Sequence, residues 1–285
     1  MKTDRLIFRN IKTNHCFNMQ FTSKIIVFIL SVFCFNLHLS GQALKKMTPE
    51  VYSQWNKIKN IKLSDSAEVI IYTLERETGD KSLCIYQKSA DTTYTFHRVN
   101  KAEVDVSGRY VVFTRSLSYD STRTLKRKKT PKDKMPVDSL CIFTLADQSL
   151  QTISSVSDFT LPSKYAGFVV YTKKLETIQP DTTKNEIKKK EVCDVTAIIV
   201  RKLVSGNEDT IRNAKDYVLA EDTPLMAYSQ CLGDSLARYS VYSFDLTNDS
   251  LQLVLPDMQQ ITQLSLEKKG SHLAFLGLKE KSAAV

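Results

Sequence analysis

One design recurs five times along this chain, and that recurrence constrains the fold more than any other feature of the sequence. Each unit places two apolar residues at i and i+2, then a short polar turn, then an apolar strand that ends on an aromatic. The five segments are IKLSDSAEVIIYT around Tyr72, VDVSGRYVVFT around Phe113, FTLPSKYAGFVVYT around Tyr171, YVLAEDTPLMAYS around Tyr228 and LSLEKKGSHLAFLG around Phe275. The aromatics are 41, 58, 57 and 47 residues apart. After each of the first four comes another alternating run: SLCIYQ from Ser82, SLCIFTL from Ser139, AIIVRKL from Ala197 and SVYSFDL from Ser240. A shorter fourth strand follows, such as TYTF from Thr93 or LQLVL from Leu251. Ser-Leu-Cys-Ile recurs at 82 and 139, in the same slot of consecutive units.

Alternating strands grouped in fours and joined by short polar turns describe a four-stranded antiparallel blade. Such units at a spacing near 40 to 50 residues mark a β-propeller. A β-sandwich also alternates, but it has no reason to repeat its strand chemistry every four strands. The expected fold is therefore all-β, a partial propeller of about four and a half blades. Residues 61–285 form that incomplete propeller, with polar insertions at 115–137 and 173–194 that read as long surface loops or partly disordered flaps. Residues 42–60 form an N-terminal segment with one helix, Thr48 to Asn60. Its signals are Thr48 as N-cap, Pro49 at the first helical position and Glu50 in the first turn. Val51, Trp55 and Ile58 then lie on one stripe, where Trp55 is expected to anchor the helix to the first blade.

Residues 1–41 read as a signal peptide with an upstream extension, Met19 being the expected true start. Lys24 precedes an apolar run from Ile25 to Leu39, and Ser40, Gly41 and Ala43 follow it, the order of a secretory leader. The run carries Asn36 and His38 and falls short of the roughly 20 residues a membrane span needs. Phe33 before Cys34 is too bulky for lipoprotein processing. The mature protein is thus expected to be soluble and periplasmic or secreted, with no membrane span once the leader is removed.

The net charge of +9 raises the question of nucleic acid, and its location answers it. Residues 1–41 hold Lys2, Arg5, Arg9, Lys12 and Lys24 against Asp4. Residues 115–137 hold Arg115, Arg123, Lys126, Arg127, Lys128, Lys129, Lys132 and Lys134 against Asp120 and Asp133. The rest of the chain nets −1. A leader and one loop do not make a nucleic-acid-binding field, and export argues against one. No nucleic-acid partner is expected.

Candidate chemistry is sparse. After leader removal four cysteines remain, Cys84, Cys141, Cys193 and Cys231, with no C-x-x-C among them. Cys84 and Cys141 lie inside apolar strands and read as small buried hydrophobes, while Cys193 and Cys231 stay open in a compartment that permits disulfides. His15 and His38 go with the leader, and His97 and His272 have no partners at metal spacing. Gly233-Asp234-Ser235-Leu236 matches the short signature of the GDSL lipases, but it lies between two strands of the fourth unit and lacks the downstream Asp-x-x-His. It reads as a hairpin turn. No catalytic, cofactor-binding or metal-ligating residue is expected in this chain, and no cofactor.

From about Met47 onward the chain resembles the N-terminal part of exported prolyl oligopeptidase family serine peptidases, dipeptidyl or acylaminoacyl peptidase-like and of the Bacteroidetes type. The residues that carry the resemblance are TPEVYSQWNKIKN, IKLSDSAEVIIYTLERETGDKSLCIY, VDVSGRYVVFTRSLSYDS, KMPVDSLCIFTLAD and LSLEKKGSHLAFLG. The resemblance implies a seven- or eight-bladed propeller ahead of an α/β-hydrolase domain with a Ser-Asp-His triad, the propeller limiting access to peptides. No G-x-S-x-G occurs here, so the nucleophile elbow is missing and the chain is expected to stop before the hydrolase domain. The adjacent Glu-Glu pair of dipeptidyl peptidase relatives is absent too, since Arg76 separates Glu75 from Glu77. Two functional readings follow. One is a non-catalytic, substrate-gating portion of such a peptidase, meeting its peptide substrate through the missing C-terminal α/β-hydrolase domain. The other is a free-standing periplasmic propeller that binds a protein or peptide partner.

Overall fold

A computed structural model of the chain describes residues 49–52, 55–174, 196–232 and 237–279. A helical turn, α1 (Pro49–Tyr52), precedes eighteen strands. β1 (Lys57–Leu63), β2 (Val69–Glu75), β3 (Ser82–Gln87) and β4 (Thr92–His97) make the first sheet. β5 (Val99–Val104), β6 (Tyr110–Arg115), β7 (Ser139–Thr144) and β8 (Ser149–Ile153) make the second, with helix α2 (Tyr119–Arg127) between β6 and β7. The third comprises β9 (Val156–Thr160), β10 (Phe168–Lys174), β11 (Thr196–Lys202) and β12 (Glu208–Arg212). The fourth comprises β13 (Ala214–Leu219), β14 (Leu225–Cys231), β15 (Tyr239–Asp245) and β16 (Ser250–Met258). β17 (Gln260–Leu266) and β18 (Leu273–Leu278) form a fifth, two-stranded sheet among the described residues. Every sheet is an antiparallel meander in chain order, the strand plan of a propeller blade.

The second and third strands of a blade are apolar on both faces because both faces are covered. In β6, Val111 and Phe113 join a core shared with the first blade, and Val112 between them joins a core shared with the third. In β11, Ala197 and Ile199 face the second blade while Ile198 and Val200 face the fourth. Four apolar clusters thus lie between five consecutive sheets, each sheet packed on the next. The near-continuous apolar runs are the sequence trace of that double burial.

In four of the five units the repeated aromatic packs against the preceding blade. Phe113 lies in the core shared by blades 1 and 2, Tyr171 in that of blades 2 and 3, Tyr228 in that of blades 3 and 4, and Phe275 in that of blade 4 and the fifth sheet. Tyr72 occupies the same slot on the face with no preceding blade among the described residues. The recurrent Ser-Leu-Cys-Ile follows from register. Cys84 lies opposite Tyr72 and Thr95, and Cys141 opposite Phe113 and Thr152. Both thiols are free and buried, and burial pushes the Cys141 thiol above its ordinary range.

The N-terminal helix is much shorter than the capping signals imply. Among the described residues it spans Pro49–Tyr52, Trp55 already lies outside any helix, and β1 begins at Lys57, where Lys57 and Ile58 pair with Glu75 and Leu74. A strand ladder satisfies the backbone of this segment in place of helical bonds, so tertiary pairing overrides local propensity. Trp55 is 50% exposed and stacks edge-on against Tyr52 at 4.8 Å, so it does not anchor a helix to the blade. The 115–137 insertion also differs from a plain loop, because α2 forms within it. Its N-cap Ser118 accepts from the Ser121 N–H at 3.3 Å. Of the 173–194 insertion, β10 takes the first two residues, and 175–195 lies outside the described residues.

Candidate functional site

Each blade's first strand breaks register where it pairs with the second. The shift falls between Lys59 and Lys62 in β1, Val99 and Ala102 in β5, Ala214 and Tyr217 in β13, and Thr262 and Ser265 in β17. In the third blade it falls opposite Thr172 and Lys173. Such bulges bend the strand and re-aim its side chains. They also leave backbone groups without a ladder partner, and in the first three blades the threonine after the repeated aromatic supplies one. Thr73 Oγ1 donates to the Lys59 carbonyl at 3.0 Å, Thr114 Oγ1 accepts from the Lys101 N–H at 3.2 Å, and Thr172 Oγ1 donates to the Asp158 carbonyl at 3.5 Å. In the fourth blade the equivalent Ser229 is fully buried, and its hydroxyl has no partner.

The bulges direct lysines into the next blade. Lys101 reaches Asp158 Oδ1 at 2.8 Å and the Phe159 carbonyl at 2.6 Å, with its ammonium 4.7 Å from the centre of the Phe159 ring. Lys215 reaches across the seam between blade 4 and the fifth sheet, 3.5 Å from the Ile261 carbonyl, with its ammonium 5.1 Å from the centre of the Tyr239 ring of its own blade. Lys62 pairs with Glu103 at 2.5 Å, and Tyr217 Oη bonds Thr160 Oγ1 at 2.9 Å. Burial pushes the Tyr217 phenol up to about 12, so it stays protonated at any physiological pH.

Two clefts open where these first strands end. One, of about 470 Å³, is lined by Asp158, Thr160, Ser163, Tyr217 and Glu221 among others. The second, of about 420 Å³, is lined by Lys62, Asp65, Glu103 and Asp105 among others. They share the wall Leu161-Pro162-Ser163. Asp105 fixes this wall from behind. It is fully buried and accepts from the Gly167 N–H at 3.2 Å, from the Ser107 N–H at 3.1 Å and from the Ser107 hydroxyl. Asp222 holds Lys164 at 2.7 Å across the next seam, and Glu221 holds Lys268 at 3.0 Å. The result is a polar, structurally braced surface along the first strands, with hydrogen-bonding groups suited to an extended polypeptide. Among the described residues it holds no nucleophile beside a base.

The residues weighed in the sequence fall elsewhere. His97 faces Ser82 across β3 and β4, with Nδ1 3.0 Å from the hydroxyl, because the two are directly opposed in register. The pair is exposed and has no carboxylate oriented on it among the described residues. His272 Nδ1 lies 3.0 Å from the Ser271 hydroxyl, and its carbonyl accepts from the Glu267 N–H at 2.9 Å. Glu75 ties two strands to a turn, bonding Lys59 at 2.9 Å and Lys81 at 2.8 Å, and these lysines hold its carboxyl below the usual range. Gly233-Asp234-Ser235-Leu236 lies outside the described residues, as does Cys193, while Cys231 is disulfide-bonded. The first-strand bulges had no signature in the apolar pattern; the hydroxyl residue after the first four aromatics was the available signal.

No protein-family model matches the chain, and no curated protein matches it. Among solved structures, the chain is similar to Pyrococcus horikoshii acylaminoacyl peptidase, at 7% identity and a TM-score of 0.45, over 81% of this chain and 37% of that one. It is also similar to the β-propeller domain of the trilobed protease from Pyrococcus furiosus, at 10% identity and a TM-score of 0.44, over 80% of this chain and 65% of that one. Porphyromonas gingivalis dipeptidyl peptidase 4 aligns at 9% identity and a TM-score of 0.42, over 72% of this chain and 33% of that one. The chain thus spans 37% of the acylaminoacyl peptidase.

Proposed function

We propose that this chain is the propeller portion of an exported serine peptidase of the prolyl oligopeptidase family, non-catalytic in itself, which gates peptide access to a hydrolase domain. One observation carries the reading: among the described residues, the two end faces of the blade stack are uncovered. Tyr72 occupies the slot that in the next three units is buried against a preceding blade, yet it is only half-buried. At the other end Leu276 and Leu278 of β18, on the face opposite the blade-4-facing Leu273 and Phe275, are each more than 50% exposed. Apolar side chains at the positions that inner blades cover call for further blades of the same kind. The quoted repeat sequences supply the family, and the leader at 19–43 supplies the export.

In this reading the first-strand clefts line the route a peptide follows, and the braced lysines and carboxylates keep that route rigid. The chemistry belongs to the hydrolase domain. Reading the coding DNA past Val285 tests the proposal. A continuing frame with further four-strand units and then G-x-S-x-G is the expected result. A stop codon there would sink it and leave a self-sufficient binding propeller.

A further inference from the structure

Many lysines of the blades are paired where they stand. Lys59 and Lys81 hold Glu75, Lys62 holds Glu103, Lys101 holds Asp158, Lys164 holds Asp222, Lys202 holds Asp249 and Lys268 holds Glu221. Helix α2 is the contrast. Arg123, Lys126 and Arg127, with Lys128 and Lys129 after them, are exposed and have no carboxylate partner among the described residues. Arg123 stands three and four residues before Lys126 and Arg127, a spacing at which like charges destabilise a helix. None of the nine α2 residues is buried, so packing does not offset that repulsion. The helix is held instead by the Ser118 cap and by the Tyr119 N–H, which donates to Asp80 Oδ1 at 2.6 Å. A helix kept in place with its cations aligned and unpaired is arranged for an anion.

At the root of the same insertion, the last residue of β6 repeats the theme. Arg115 Nε is buried and has no hydrogen-bond partner, and Arg115 and Arg98 both lie close enough to Cys141 to act on its thiol. Along one face of α2, Tyr119, Thr122, Arg123, Lys126 and Arg127 line a shallow groove. The meander puts this insertion at the end of the blade opposite the turn after β5 that lines the second cleft.

We infer that this end of blade 2 docks a carboxylate-rich segment of a partner protein, with Arg123, Lys126 and Arg127 lining its path. A nine-residue helix is about 13 Å long and matches about four residues of extended peptide. Carboxylates meet guanidinium groups in bidentate pairs, which fits two arginines one turn apart. The cations line a groove together with Tyr119 and Thr122, which seats an extended chain better than a flat anionic bilayer, so the peptide is favoured over a membrane.

The test is fluorescence anisotropy of a labelled oligoglutamate peptide with the purified chain, with oligoglutamine and phosphatidylglycerol vesicles as controls. The expected result is oligoglutamate binding at low salt that fades as salt is added. The triple variant R123E/K126E/R127E should weaken it by about tenfold or more. The triple variant should melt like the unmodified protein, since no α2 residue is buried. Absence of oligoglutamate binding, or a triple variant that binds as well as the unmodified chain, overturns the inference. Capture by the vesicles with no binding of the peptide overturns it in favour of a membrane surface.

Discussion

A repeated side chain need not carry equal weight at each occurrence. Phe113 and Tyr171 are at most 1% exposed, whereas Tyr72 has the same sequence context on an uncovered face. Truncating Phe113 to Ala should therefore cost about 3–5 kcal/mol in denaturant unfolding, and Tyr72→Ala much less. Equal losses would mean that the face of the first blade is covered as well as the others. The hydroxyl that follows the aromatic gives a sharper contrast. Thr114→Val leaves the bulged Lys101 N–H without its acceptor and should cost about 1–3 kcal/mol, while Ser229→Ala deletes a buried hydroxyl that bonds nothing and should be neutral or stabilising. Glu75 adds a pH dependence. Its carboxyl is held low by Lys81 and Lys59, so its contribution is present above the ordinary carboxylate range and is lost as the pH falls through the depressed value. Glu75→Gln should lower the melting temperature at neutral pH, and the gap to the unmodified protein should close on acidification. A gap that persists at acid pH would assign the effect to packing.

Among the elements, the blades and the α2 insertion differ in what holds them. Strands such as β6, β7, β10 and β11 are covered on both faces, and their thiols share that protection. Cys141 should stay unalkylated in the native protein and react only on unfolding, whereas mapping under non-reducing conditions should recover Cys231 in a disulfide-linked peptide. Helix α2 has caps and one backbone tie but no core contact, so its local opening costs little. Limited trypsin digestion should cut at Arg123, Lys126 or Arg127 before any site within β6 or β7. Early cleavage within those strands, with α2 intact, would place the blade boundaries wrongly.

For the whole molecule, the open ends of the stack set the behaviour in solution. Leu276 and Leu278 present apolar surface on the outer face of the last sheet, and β18 presents a free edge among the described residues. Residues 42–285 expressed alone should self-associate, and Leu276→Thr with Leu278→Thr should shift the population toward monomer in sedimentation velocity. A monodisperse monomer with a sharp melt would count against the open stack and favour a self-sufficient domain.

Apolar periodicity by itself determined the blades. SLCIYQ at 82–87 coincides with β3, and SLCIFTL, AIIVRKL and SVYSFDL coincide with β7, β11 and β15 to within a residue at either end. This was legible because side chains buried on both faces leave a run that few other environments tolerate. The segment around Trp55 was not legible in the same way. Its capping residues favour a helix locally, and only the ladder offered by β2 decides that the chain turns to strand at Lys57. The first-strand bulges also belong to the tertiary structure, because a shift of register is a relation between two strands and leaves no period in either. So does the candidate surface. Lys101 and Asp158 are 57 residues apart and become partners only when one blade packs on the next. Contacts of that kind depend on the rotation between blades, which the sequence of either blade does not encode.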